Sequence, residues 1–448
     1  MKPKSSASTS QHDLFSAQFE QILNLDHPLC VLANRIDWTR FEVAFEGLYD
    51  PATGAPGKAT RLLVALHYLK HALNLSDESL VEHWVENPYW QYFCGYETMQ
   101  HKPPLHPTSM TKWRQRVGAE RLALLLEETV AIAMKSKLVA EPELSQVNID
   151  TTVQEKNITH PTDSKLYLKA IEKLAGAADR YGIELRQSYR RVAKQAAIQV
   201  SRYAHAKQFN RMRRQLKKMR TWLGRVIRDI QRKSQNPSKK LTELLTLCER
   251  LHTQQPSDKK KLYSLHEPDV QCISKGKAHK RYEFGQKISV ATTNRSNWIV
   301  GIKLCDENPY DGHTLATTIS CTEAITGVSV TRAYVDKGYQ GHDYTGSAVI
   351  HRSGQSNRGV SRSERRRRKR RSAIEPKIGH LKSDNRMNRC YLKGLAGDAI
   401  NAMLAAAGSN LQKLLRALSP AQIILLLGWL LPTFRSKPVK PIQVIATA

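Results

Sequence analysis

A chain of 448 residues exceeds the length at which one hydrophobic core usually stops growing, so two or three domains are expected. Lysine and arginine number 70 against 40 acidic residues, a net charge of +30 with a pI near 9.9, which favours a polyanionic partner, nucleic acid ahead of an anionic membrane surface. Seven cysteines without a CxxC pair argue against a disulfide scaffold or a zinc knuckle and fit free thiols in a reducing compartment.

Residues 1–14 are polar, lack the apolar core of a signal peptide and are expected to form a disordered tail. Residues 15–144 read as an all-helical N-terminal domain. Within it Leu62, Leu63, Ala65, Leu66, Leu69 and Leu73 recur at helical spacing on one face. After a proline-rich loop, Thr108 or Ser109 can cap a helix that presents Lys112, Arg114, Gln115 and Arg116. A short helix, a turn and a helix bearing Arg and Gln suit major-groove reading of DNA, whereas a basic surface helix packed through Met110, Trp113 and Val117 suits the residues equally.

Alternation through Val147 and Ile149 predicts a half-buried strand that carries Asp150. Residues 164–265 then carry helix-period apolar positions and dense one-sided charge, including Arg213, Arg214 and Lys217. That pattern reads as a basic helical insertion suited to phosphate contact. Strand patterns resume at 282–292 and 297–304, with a turn between them. A helix over 313–326, a strand over 328–336 ending in Asp336, and a short strand over 347–351 follow. The run Arg365 to Arg371 leads into a helix with Glu375, and a further helix spans 398–418. The apolar stretch 423–431 ends at Pro432, short of the roughly 18 to 20 residues that cross a bilayer, so residues 419–448 read as a packed helix and tail of a cytoplasmic protein.

The order of these elements is that of a ribonuclease H-like domain made of 145–163 and 266–418. It predicts a mixed five-stranded sheet with flanking helices, interrupted by the insertion, with the first strand beside the fourth. Asp150, Asp336 and Glu375 would then meet in space. Three carboxylates suit Mg²⁺, a hard ion that prefers oxygen, and two such ions suit in-line displacement at phosphorus. Without metal the acids would repel, so at least one is expected to have a raised pKa. Each acid has a plainer alternative: an edge-strand residue for Asp150, a turn residue for Asp336, and for Glu375 a capping box with Ser372.

Asn148-Ile149-Asp150-Thr151-Thr152, Asn308-Pro309-Tyr310-Asp311-Gly312-His313 and Val335-Asp336-Lys337-Gly338-Tyr339 resemble, in order, motifs of DDE transposases of bacterial insertion sequences, in particular the fifth insertion-sequence family. That family's signature of Tyr, Arg, Glu and Lys is matched by Arg371, Glu375 and Lys382, with Arg368 standing at the Tyr position. The resemblance implies Asp150, Asp336 and Glu375 as metal ligands for Mg²⁺, with Mn²⁺ as a substitute. It also implies cleavage at terminal inverted repeats, strand transfer into double-stranded target DNA, and a homodimer on DNA in the nucleoid, with no membrane partner. Arg371, Lys382, Lys377 and Arg368 are expected at DNA phosphates, and His279, Lys277 and His313 match family positions without an assigned role. A catalytically inactive DNA-binding relative and a ribonuclease H-like nuclease are the competing readings.

Overall fold

The computed structural model describes residues 17–50, 56–234, 236–274 and 281–419. The expected tail at 1–14, the apolar stretch 423–431, Lys277 and His279 lie outside these residues.

Ahead of the sheet the described chain forms α1 (Phe19–Ile22), α2 (Pro28–Arg35), α3 (Trp38–Phe45), α4 (Thr60–Ala72), α5 (Asp77–Glu86), α6 (Pro88–Phe93), α7 (Pro107–Lys135) and α8 (Glu141–Leu144). Leu62, Leu63, Leu66 and Leu69 of α4 are buried as their spacing requires, but α4 is buried on nearly its whole surface and Leu73, its C-cap, is exposed. The start of α7 differs from expectation. His106, not Thr108 or Ser109, is the N-cap, and its ring accepts the Thr108 amide at 3.3 Å. Pro107 can then occupy the first helical position, where its missing N–H has no partner to lose. Gly118, at φ +77°, kinks the helix.

Among the described residues seven strands form one mixed sheet: β1 (Gln146–Lys156), β2 (Gln271–Ser274), β3 (Tyr282–Thr293), β4 (Ile299–Leu304), β5 (Arg332–Val335), β6 (Val349–Arg352) and β7 (Arg389–Cys390). Five were expected. The additional β2 and β7 are too short to carry a readable alternation, and they extend β3 and β1 at one end. Through the middle the order is β4-β3-β1-β5-β6, with β1 antiparallel to β3 and parallel to β5.

Between β1 and β2 run α9 (Asp163–Arg180), α10 (Arg190–His205), α11 (Phe209–Lys233) and α12 (Lys239–Thr253). They enclose an apolar core of their own, with Leu174, Met219, Leu223, Ile227 and Leu245 inside. The other core is continuous from α2, α4 and α7 into β1, β3, β4 and β5. Three later helices complete the architecture around it: α13 (Leu315–Thr326) on β4, then α14 (Arg362–Arg370) and α15 (Ile374–Ser383). α16 (Gly394–Ala417) lies between the N-terminal helices and the sheet.

The far end of β1 is fixed by buried polar groups. The Lys156 ammonium lies 2.8 Å from Asp398 and 3.3 Å from Glu267, and the Gln154 amide donates to the Asp398 carbonyl. Charges this deeply buried are tolerated because they are paired. Nearby, a Cβ on Gly285 would lie 1.9 Å from the Gln154 carbonyl oxygen, so only glycine permits the approach of β3 to β1.

Candidate active site

Alternation along β1 buries Val147, Ile149 and Val153 and turns Asp150 to the opposite face. In the parallel pairing of β1 with β5, Asn148 stands opposite Tyr334, so the register continued by two residues sets Asp336 beside Asp150 where β5 ends. Asparagines carry the third acid to the same place. Asn294, in the β3–β4 turn, donates to Asn148 at 2.7 Å and to the Arg367 carbonyl at 3.0 Å, and Asn297 donates to the Ala373 carbonyl at 2.9 Å. These bonds hold the end of α14 and the start of α15 against β1.

One side chain joins the three acids. Arg371 Nη2 lies 2.7 Å from Glu375 Oε1, while Nη1 lies 3.8 Å from Asp150 Oδ2 and 3.6 Å from Asp336 Oδ1. The guanidinium is 9% exposed, Asp150 21%, Asp336 51% and Glu375 61%, so the acids open to solvent on the side away from the arginine. The capping box does not form: Ala373 is the N-cap of α15, and the Ser372 hydroxyl donates to the Lys369 carbonyl. Burial pushes the Asp150 carboxyl above its ordinary range, with Asp336 and Asp311 adding to the shift; the Thr151 amide and Arg371 oppose it.

Asp311 is a neighbour that sequence reasoning did not single out. Its Oδ1 accepts from the Thr151 hydroxyl at 2.9 Å and from the Lys287 ammonium at 3.0 Å. It lies within the segment from Asn308 to His313, which was the available signal. His313, in the same segment, is exposed, 4.0 Å from Asp343.

Several expected DNA contacts are committed elsewhere. Arg114 is 2% exposed and forks onto Asp77 at 2.6 and 2.9 Å, because Trp113, Arg114 and Val117 form the inner face of α7; a DNA contact is sterically closed to it. Lys377 turns inward to the Ser409 hydroxyl at 2.8 Å, and burial, with Lys413 and Arg416 near, lowers its pKa to about 7. Arg368 is half-buried and donates to the Ser356 carbonyl at 3.2 Å, its Nε 3.6 Å from Glu364. Lys112, Arg116, Arg213, Arg214 and Lys217 are exposed. Lys382, on α15, lies towards the Lys156 end of β1, its carbonyl accepting from the Asn388 amide just before β7.

Among the described residues no three His, Cys, Asp or Glu side chains stand close enough to hold one metal ion. The three acids instead ring a positive charge supplied by Arg371, which stands in for a cation. Oxygen donors around a cation are the donor set a hard divalent ion takes.

Residues 17–116 match the family described as a transposase domain (DUF772), and residues 331–415 match the transposase DDE domain. The chain is also 52% identical over 209 residues to the uncharacterized protein ORF8 in the nfe locus of Rhizobium meliloti, covering 47% of this chain and 100% of that protein. The chain belongs to the DDE transposases of insertion sequences. In this transposase the DDE match contains Asp336, Arg371, Glu375 and Lys382, while Asp150 lies outside both matched segments. No solved structure matches it. Among the described residues no helix is long and apolar enough to cross a membrane.

Proposed function

We propose that this transposase binds the terminal inverted repeats of an insertion sequence, cleaves at the element ends and transfers the 3′ hydroxyl ends into target DNA. Its place in the fifth insertion-sequence family and a ribonuclease H-like catalytic domain are part of the same reading, which the β4-β3-β1-β5-β6 order supports. The observation that carries it is the meeting of Asp150, Asp336 and Glu375, from a strand, a strand end and a helix, on one guanidinium.

Asp150, Asp336 and Glu375 would hold the divalent metal, Mg²⁺ or Mn²⁺. When bound, such ions supply activation of the attacking oxygen and stabilisation of the leaving oxygen in an in-line displacement at phosphorus. Arg371, whose fork of donors suits a phosphate, would contact a phosphate of the element end. Lys382 contacts a phosphate further along the same strand. Lys287 and Thr151 hold Asp311 beside Asp150 and so keep β1, β3 and the loop before α13 in one arrangement.

Residues 15–144 form the end-binding domain, with Lys112 and Arg116 exposed on α7, and 164–265 form a basic insertion whose Arg213, Arg214 and Lys217 face DNA. Two ends reach one target through a homodimer assembled on DNA, in the nucleoid. Incubation with Mg²⁺ and labelled end fragments tests the reading: joined products support it, nicked products alone indicate a nuclease, and binding alone indicates an inactive relative.

A further inference from the structure

α14 divides its charges between two faces. Glu364, Arg367, Arg368 and Arg371, spaced at three and four residues, turn towards the sheet, where Glu364 gathers Arg367, Arg368, the Tyr334 hydroxyl and His351. Arg362, Arg365, Arg366 and Lys369 repeat the same spacing on the other face and are exposed. Arg365 donates to the Val360 carbonyl at 2.9 Å, but the charged ends of Arg362, Arg366 and Lys369 have no ion-pair or hydrogen-bond partner among the described residues. Three like charges on adjacent turns, none of them in an ion pair, repel one another, and an anion from outside would offset them.

This face lines a cleft of about 1060 Å³ whose opposite wall is Gln146, Glu143 and the β3–β4 turn with Arg295. Glu143 is already engaged, accepting from the Ser296 amide at 2.6 Å. Arg370 marks the boundary, since its guanidinium donates to the carbonyls of Asn294 and Arg295 while the next residue, Arg371, reaches the acids. The cleft therefore opens at the Gln146 end of β1. Lys382 lies towards the Lys156 end, with Asp150 between them. Four residues of strand separate Gln146 from Asp150, roughly 13 Å, which is about four nucleotides of duplex rise.

We propose that this cleft holds the DNA on the far side of the reacting phosphate from the element end, which is the flanking duplex before cleavage and the target duplex during strand transfer. The proposal rests on the function assigned above, in which Lys382 and Arg371 hold the element end. A strand whose reacting phosphate lies at Asp150 and whose element side runs past Lys382 continues on its other side towards the Gln146 end of β1, where the cleft opens.

The experiment compares binding of the full-length protein to two duplexes, an element end cut flush and the same end continued by one helical turn of flanking DNA, across a salt series. The triple variant Arg362→Ala/Arg366→Ala/Lys369→Ala is expected to bind the flush end as the parent does. On the flanked duplex its affinity should fall about tenfold or more and its salt slope by about three, close to one per lost phosphate contact. The variant Arg362→Lys/Arg366→Lys, which keeps the charge, should retain parental binding to both. Equal weakening on both duplexes would assign the cleft to the element end and overturn the proposal, as would no change on either. If the parent itself binds neither duplex, the proposed function fails first and the cleft assignment with it.

Discussion

Arg371 Nη2 stands 2.7 Å from the Glu375 carboxylate one helical turn away, and the same guanidinium reaches Asp150 and Asp336 with its other amino group. A single cation thus offsets three like charges that would otherwise repel. The relationship makes the arginine a competitor of any metal the acids would bind, and this gives a readout independent of catalysis.

Replacing Arg371 by methionine removes that competitor and leaves the acids uncompensated. Without metal, the variant Arg371→Met should melt below the parent. Added Mn²⁺ should raise its melting temperature by more than it raises the parent's, because a ligand that binds only the folded state stabilises it by mass action. Equal Mn²⁺ shifts for the two proteins would mean that the arginine and the metal do not share a site.

Asp150→Ala should reduce strand joining by about 10³-fold or more, the loss expected when several kcal/mol of transition-state stabilisation disappear. Binding of end fragments should persist. Loss of binding in a gel-shift assay would instead make Asp150 a structural residue.

Arg114 and Lys112 lie two residues apart on α7 and should behave oppositely. Arg114→Ala removes the bidentate partner of the half-buried Asp77 and leaves it Lys70 at 2.7 Å, and thermal unfolding should register a loss of about 1.5–3 kcal/mol. Lys112→Ala, at an exposed position, should change stability by less than about 0.5 kcal/mol. Comparable stability of the two variants would contradict the buried role of Arg114.

Burial, reinforced by Arg114, lowers the pKa of His67 to about 3, and burial pushes His71 well down too. In the unfolded chain both take up a proton near pH 6.5. The unfolded state therefore binds more protons below that pH, and stability is lost as pH falls from about 6.5 towards 3. Melting temperatures measured from about pH 7 to 5 should drop, and less steeply for His67→Gln than for the parent. Parallel pH profiles would rule out His67 as a source of the loss.

Gly285→Ala places a methyl group 1.9 Å from the Gln154 carbonyl, so β1 and β3 must separate. The expected cost is about 1–3 kcal/mol or more, since overpacking a paired strand displaces backbone rather than a flexible side-chain end. An unchanged melting temperature would show that the two strands can part here at no cost.

Local periodicity was enough to place β1, β3 and the helices of the insertion, because burial on one face imposes a repeat of two or about 3.6 residues that single side chains record. The residue types carried the proposed chemistry as well, since carboxylates suit a hard ion and arginines suit phosphate. What local pattern could not reveal depends on which surfaces meet. Arg114 and Lys112 are equally basic in the chain, and only the packing of α7 against α4 and α5 decided that one is buried on Asp77. The alternation of a two-residue strand such as β7 is too short to read, and Asp311 reached Asp150 through Thr151, a partner 160 positions away in the chain. The division of α14 into a face docked on the sheet and an exposed face likewise came from Glu364 docking on the sheet, since a run of arginines has the same charge on every side until a neighbouring surface selects one.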